Sequence, residues 1–413
     1  MEDVKISAER KPDGAGVPCS SPEATATLLW SACRPAPDEA ASEAALARGA
    51  DLAFASRVAV AQRLSPLLWQ VAQRWASPAD GWSASLRDDA QRCKAQALLV
   101  RPRVRSLLLE PLAAAGVQPL VIKGAAVAER YPGPGLRPMD DVDLLVPPEM
   151  HRDAAEALRR AGWETTRRQG PLYSLGLSHP GMPGLPVDLH KELAVRADQV
   201  FRLTAADLWE VARPVTLFGA PALALPPEME LVLIATHAGK PFHNFDRLLW
   251  AVDAAVIVLA AGSAGAPIDW GGVGEIAERA GARSALAVLL GQAERLGAAS
   301  PPSLRQMDTG RTRRWALEAP LSTRWPLARL GEAERLRLTY AVIDDPWLRV
   351  RRLLYQTTVG GVVGAPLRGT VLVLRLVRRI WRVRRTTPGS RRHDWFVEDG
   401  DQQVDPVVAD GEL

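Results

Sequence analysis

Residues 120–146 read LVIKGAAVAERYPGPGLRPMDDVDLLV. The run 117–122 is short, apolar and partly β-branched, which predicts a buried strand. Residues 124–131 then predict a short helix, PGPGLRP (132–138) a loop, and 142–146 a second strand. A strand that passes through Lys123-Gly124 into a helix offers free backbone N–H groups where a phosphate could sit, and Gly lets it approach closely. Asp141 and Asp143 lie two apart, so both carboxylates share one face of the strand while Val142 and Leu144 point to the core. Adjacent like charges at a strand end are costly unless neutralised, and a divalent metal is the usual solution.

The same alternation recurs downstream. In LPVDLHKEL (185–193), Asp188 and His190 share one face and Val187 and Leu189 the other. Three carboxylates from two strands beside a Gly turn suit Mg²⁺, or Mn²⁺, and a nucleoside triphosphate, because hard cations prefer oxygen ligands and bridge to phosphates. The chemistry that matches is nucleotidyl transfer.

Around this centre the chain divides by pattern. Residues 1–22 read as a flexible leader and 23–113 as an Ala- and Leu-rich helical subdomain, with breakers near Pro35, Pro37 and 77–81. A mixed α/β core is expected over 114–225. It includes a helix with the stripe Ala154, Ala157, Leu158 and Ala161, closed by Gly162, and strands near 163–167, 172–177 and 187–189. Helical periodicity returns over 226–345. A basic amphipathic extension (346–393) and an acidic, disordered tail (394–413) follow. The expected fold class is α+β: a small mixed-sheet core flanked by helical segments.

Composition narrows the function classes. Of the 413 residues, 47% are hydrophobic and 24% charged, which excludes a disordered or collagen-like chain and a membrane bundle. Cys19, Cys33 and Cys93 are too few for a disulfide framework or a Cys-based zinc site. With no long apolar run and no signal-peptide core at the start, the expected location is the cytoplasm. Residues 347–392 hold 12 Arg and no acid, while 394–413 hold seven acids and no base. The remaining body is close to neutral, so the net charge of +4 is no argument for a nucleic-acid substrate. Within 371–385, Arg375, Arg378, Arg379 and Arg382 form one helical stripe. That stripe would suit peripheral contact with an anionic membrane surface, a helix packed on the body, or, less well given so few interleaved aromatics, nucleic acid. Only six of the 51 basic residues are Lys, which makes Lys123 conspicuous.

The combination of Lys123-Gly124, Arg137 before Asp141-Val142-Asp143, Asp188-Leu189-His190, and Leu248, Trp250 and Asp253 resembles a known family. It is that of the uncharacterised nucleotidyltransferase-like proteins of the polymerase-β-type superfamily. The likeness spans roughly 22–310, including PIDWGGV near Trp270. It implies metal-assisted transfer of a nucleoside monophosphate to a hydroxyl acceptor, with Asp141, Asp143 and Asp188 as catalytic metal ligands. Lys123, Gly124, Arg137 and His190 are the candidate nucleotide contacts. This chain has Gly124-Ala125 where the superfamily usually has Gly-Gly or Gly-Ser, which removes a hydroxyl that could touch phosphate.

Alternatives stand beside these readings. Arg137 could hold a phosphate or pair with Asp140 or Asp141; His190 could orient Asp188, touch a base or ribose, or be structural. His237, Lys240 and His243 could serve an acceptor or simply form a helix end and loop. Asp253 reads as a buried helix–helix hydrogen-bonding residue. As whole functions, a nucleotide-binding module without turnover and a sugar-nucleotide glycosyltransferase remain open.

Overall fold

The computed structural model describes residues 21–77, 80–169, 173–193, 199–241, 243–306, 310–321 and 330–358. Residues 1–20 of the leader, the stripe at 371–385 and the acidic tail therefore lie outside the described residues. Seven strands form one mixed sheet: β1 (Leu120–Ile122), β2 (Val142–Leu145), β3 (Glu164–Gln169), β4 (Ser174–Ser178), β5 (Val187–His190), β6 (Arg213–Leu217) and β7 (Ala220–Ala224). Their order is β3-β4-β5-β2-β1-β7-β6. β2 runs parallel to β5 and antiparallel to β1, and β1 is parallel to β7. The expected α+β class is the observed one.

Alternation along the strands separates two apolar cores. Val121, Val142, Leu144, Val187 and Leu189 pack on one face of the sheet, against Ala154 and Leu158 of the helix His151–Arg160. Leu120, Ile122 and Leu145 face the other way, into the helical mass. Asp143 pairs in register with Ile122 on one side and Asp188 on the other, so the acidic positions line this second face.

That helical mass comes from both ends of the chain. Ser21, Asp38 and Asp51 cap the helices Pro22–Ala32, Glu39–Ala47 and Leu52–Ala61 by accepting the N–H of the third residue on. The helix Leu248–Ser263 is apolar on nearly every side and is buried accordingly, between Pro227–Ala238 and Arg283–Arg295.

The helix Gly81–Arg103 continues through a π-helical turn, Val104–Leu109, into Glu110–Ala114. Pro111 has no N–H to give the Leu107 carbonyl one turn earlier, and the Trp163 indole N–H donates to that oxygen instead at 2.7 Å.

The hairpin β6–β7 was not anticipated within the core region. Pro214 and Pro221 interrupt its pattern, yet neither breaks the sheet. β6 is an edge strand, and β7 meets β1 at Leu223, beyond Pro221. Phe218 and Gly219 both take positive φ, 51° and 79°, as a tight two-residue turn requires.

Candidate active site

β1 ends at Ile122 and the chain turns at Lys123, whose φ of 55° lies in the left-handed region. Left-handed backbone is unfavourable for any residue with a Cβ, and such strain persists where surrounding structure enforces it. The turn delivers the Lys123 ammonium to Asp143, with Nζ donating to Oδ1 at 2.6 Å. The same oxygen lies 2.8 Å from His190 Nε2. Asp143 is 5% exposed and His190 6%, so this contact is made away from bulk water.

Asp188 completes the group. One ligand atom each from Asp143, Asp188 and His190 lies within 4.8 Å of the others. Asp141, which shares the face of Asp143, is not in that group; His190 is. Two carboxylates and an imidazole form a donor set for a divalent cation, Mn²⁺ and Zn²⁺ accepting the nitrogen more readily than Mg²⁺. The residues therefore fit a divalent cation, the kind of ion that nucleotidyltransferases generally use. His190 Nδ1 is buried without a hydrogen-bond partner, and its ring lies near that of Tyr173, with centroids 6.1 Å apart.

Electrostatics follow from the crowding. Burial and the neighbouring Asp143 push the Asp141 carboxyl up to about 6, with Asp188 adding to the rise. Burial also pushes Asp143 upward, but the Lys123 ammonium and the His190 hydrogen bond outweigh it and hold Asp143 well below the usual range. For Lys123, burial disfavours the charge, yet Asp143 overcomes this and keeps the ammonium above its ordinary value.

Arg137 bonds neither Asp140 nor Asp141. Its Nε and Nη2 donate to the two carboxylate oxygens of Asp253, each at 2.9 Å, and the Tyr131 hydroxyl adds a bond to Asp253 at 2.8 Å. Asp140 instead pairs with Arg63 at 2.6 Å and Arg247 at 3.3 Å. The Arg137 guanidinium lies directly over Gly124, where an added Cβ would stand 2.7 Å from its Cζ. Part of the open space expected at the glycine is thus filled by arginine. Asp253 is the buried hydrogen-bonding residue its apolar flanks suggested, and it ties the 129–140 connection to the helix Leu248–Ser263.

A cavity adjoins the cluster, lined by Lys123, His190, Phe201, Thr236, His237 and Lys240 among others. Burial holds the His237 imidazole well below its ordinary range, with Lys123 adding to the effect, and its Nδ1 has no hydrogen-bond partner. The His237 and His243 rings approach to 4.5 Å, and Trp250 meets both edge-on. The Leu-x-Trp-x-x-Asp segment therefore supports the site through Trp250 and Asp253. Nothing in the local sequence around 199–240 signalled the lining by Phe201 and Thr236.

A mixed sheet that presents paired acidic residues behind a Lys-Gly turn, enclosed by helices, is an architecture of the nucleotidyltransferase class. Residues 49–298 match the family described as "Uncharacterised nucleotidyltransferase", and the chain belongs to that family. No curated protein and no solved structure matches it.

Proposed function

We infer that the protein is a metal-dependent nucleotidyltransferase that moves a nucleoside monophosphate from a triphosphate to a hydroxyl acceptor. The observation that carries this reading is the register of β2 and β5. It makes Asp143 and Asp188 direct neighbours, with His190 beside them and Lys123 at the adjoining strand end. In the reaction the acceptor oxygen bonds to the α-phosphorus, the bond from that phosphorus to the bridging oxygen breaks, and pyrophosphate leaves with the electron pair. The hydroxyl proton is lost to a base.

Asp143, Asp188 and His190 would hold the cation, with Asp141 close by. When bound, Mg²⁺ or Mn²⁺ supplies charge neutralisation at the phosphates and activation of the attacking oxygen. We assign Asp141, which shares the strand face of Asp143 beside the proposed cation site, to accept the hydroxyl proton. Lys123 is the ammonium assigned to the phosphates, and Gly124 the backbone beside them. Arg137, anchored by Asp253, keeps the turn in place and presents its remaining N–H groups to the nucleotide. The buried free thiols Cys33 and Cys93 fit a reducing compartment such as the cytoplasm, and no helix among the described residues is long and apolar enough to cross a membrane.

One observation favours a second reading, nucleotide binding without turnover: Asp143 Oδ1 is already engaged by Lys123 and His190, and Ala125 offers no hydroxyl. The two separate on incubation with each α-labelled triphosphate, Mg²⁺ or Mn²⁺ and a cell extract. Transfer of label by the wild type, lost in Asp141→Ala plus Asp143→Ala, supports catalysis. Equal labelling with both proteins would sink it, and nucleotide binding with no transfer would support the module. Release of sugar from a sugar nucleotide would instead point to glycosyl transfer.

A further inference from the structure

We propose that Lys123 is the resident counter-cation of the Asp143–Asp188–His190 cluster. Its ammonium gives up Asp143 when a divalent cation enters and turns to the adjoining cavity, where anionic phosphate oxygens take it. The inference rests on the metal-dependent reading above and adds an order to it: metal entry and phosphate capture are coupled through one side chain.

The geometry sets up an exchange. Asp143 Oδ1 carries two partners, Lys123 Nζ at 2.6 Å and His190 Nε2 at 2.8 Å. A cation that takes this oxygen must displace at least one of them. His190 is the less mobile, because it sits within β5 in register with Leu145, and it is itself a member of the metal-sized group. Lys123 is the more mobile. Its charge rides on a four-carbon stem, its side chain is 20% exposed against 6% for Asp143, and it also lines the cavity. The strained backbone at φ 55° fixes the root of that stem at the strand end, so the ammonium can swing between carboxylate and cavity while its Cα stays put.

Electrostatics give the exchange its direction. An ammonium against Asp143 stabilises the crowded carboxylates, and for the same reason it opposes a second cation at that oxygen. Phosphates that draw Lys123 away lower the barrier to metal binding. By linkage, a bound metal that frees Lys123 raises affinity for phosphate by the same factor. A lysine that stays on Asp143 throughout would give no such coupling.

The test uses the full chain and Mn²⁺ alone, with unbound ion followed by electron paramagnetic resonance. Lys123→Met is expected to bind Mn²⁺ about tenfold or more tightly than wild type, because one opposing charge has gone, whereas Lys123→Arg keeps the wild-type affinity. Lys123→Asn removes the charge in a residue that tolerates left-handed backbone, so it repeats the measurement if the Met variant folds poorly. A second readout uses the scarcity of lysine: among six, Lys123 alone should become several-fold more reactive to an amine-acetylating reagent when Mn²⁺ is added, because it leaves the Asp143 carboxylate. Equal Mn²⁺ affinity in wild type and both neutral variants, or Lys123 acetylation indifferent to Mn²⁺, overturns the exchange alone. Absence of Mn²⁺ binding in every variant overturns the metal-dependent reading along with it.

Discussion

Replacing Asp253 by Asn tests whether the site stands on the buried Arg137–Asp253–Tyr131 network. The exchange is isosteric, so it opens no cavity; it removes one negative charge and turns an acceptor into a donor facing a guanidinium. Arg137 is 10% exposed at its side chain and Asp253 3%, so water cannot replace the lost partner; the one oxygen that Asn keeps can still accept from Tyr131 and Arg137 Nε, while Nη2 is left facing an NH2 group. Breaking a buried pair in this way costs about 3–5 kcal/mol, far above the roughly 0–1 kcal/mol of an exposed pair. The assay is equilibrium urea unfolding of wild type, Asp253→Asn, and the double variant Arg137→Met plus Asp253→Leu. The double variant replaces both charges with apolar groups and should recover most of the loss, because a buried ion pair and a packed apolar pair are of similar worth. A loss below about 1 kcal/mol in Asp253→Asn would refute the reasoning, since it would mean the guanidinium finds water or another partner without cost. The double variant also separates two roles of Arg137. If it folds as stably as wild type yet binds nucleotide less well, the arginine contributes contacts as well as support.

Three further predictions follow from individual residues. Glu230 is buried with Arg130 at 2.7 Å, and burial raises its carboxyl from 4.5 to about 7. Between those values the folded protein keeps a proton that the unfolded chain has released. The contribution is therefore complete below pH 4.5 and lost as pH rises to about 7, a span of roughly 3 kcal/mol that Glu230→Gln should flatten in urea titrations at stepped pH; an unchanged slope refutes it. Gly124→Ala places a methyl against the Arg137 guanidinium, which Asp253 holds from behind. The expected loss is about 1–3 kcal/mol, relieved when Arg137 is also Met; a loss that persists in the double variant places the strain elsewhere. For the stripe at 371–385, sedimentation with anionic liposomes should show salt-sensitive binding that deletion of 371–385 abolishes, and binding that survives the deletion rejects membrane contact.

Much of the sheet was legible because alternation leaves few choices. Val142, Leu144, Val187 and Leu189 had to face a core, and that placed Asp143, Asp188 and His190 together on the opposite face. The hairpin β6–β7 was hidden because Pro214 and Pro221 argue against a strand wherever its hydrogen-bond neighbours are unknown. The Arg137–Asp253 bond joins residues 116 apart, and no local pattern carries such a pairing. The backbone conformation of the Lys-Gly pair was not legible in the local sequence. Glycine is the expected occupant of a left-handed position, yet here the lysine takes it, while the glycine is needed for the close approach of Arg137.

The charge of the site follows from the same crowding. Asp141, Asp143 and Asp188 influence one another, and the ammonium of Lys123 is the nearest opposing lysine charge. The ammonium and the His190 hydrogen bond together hold Asp143 in its ionised form, but Asp141 stays pushed up to about 6, so the carboxylates are only partly compensated. Beside the ammonium, one more monovalent charge would leave one carboxylate uncompensated, whereas a divalent cation would match the two that remain. The local excess is invisible in the chain's net charge of +4, which the Arg-rich 347–392 segment dominates. Under the proposed function, the two charges still unmatched and the ammonium held close by would together suit a ligand that brings a divalent cation and phosphates at once.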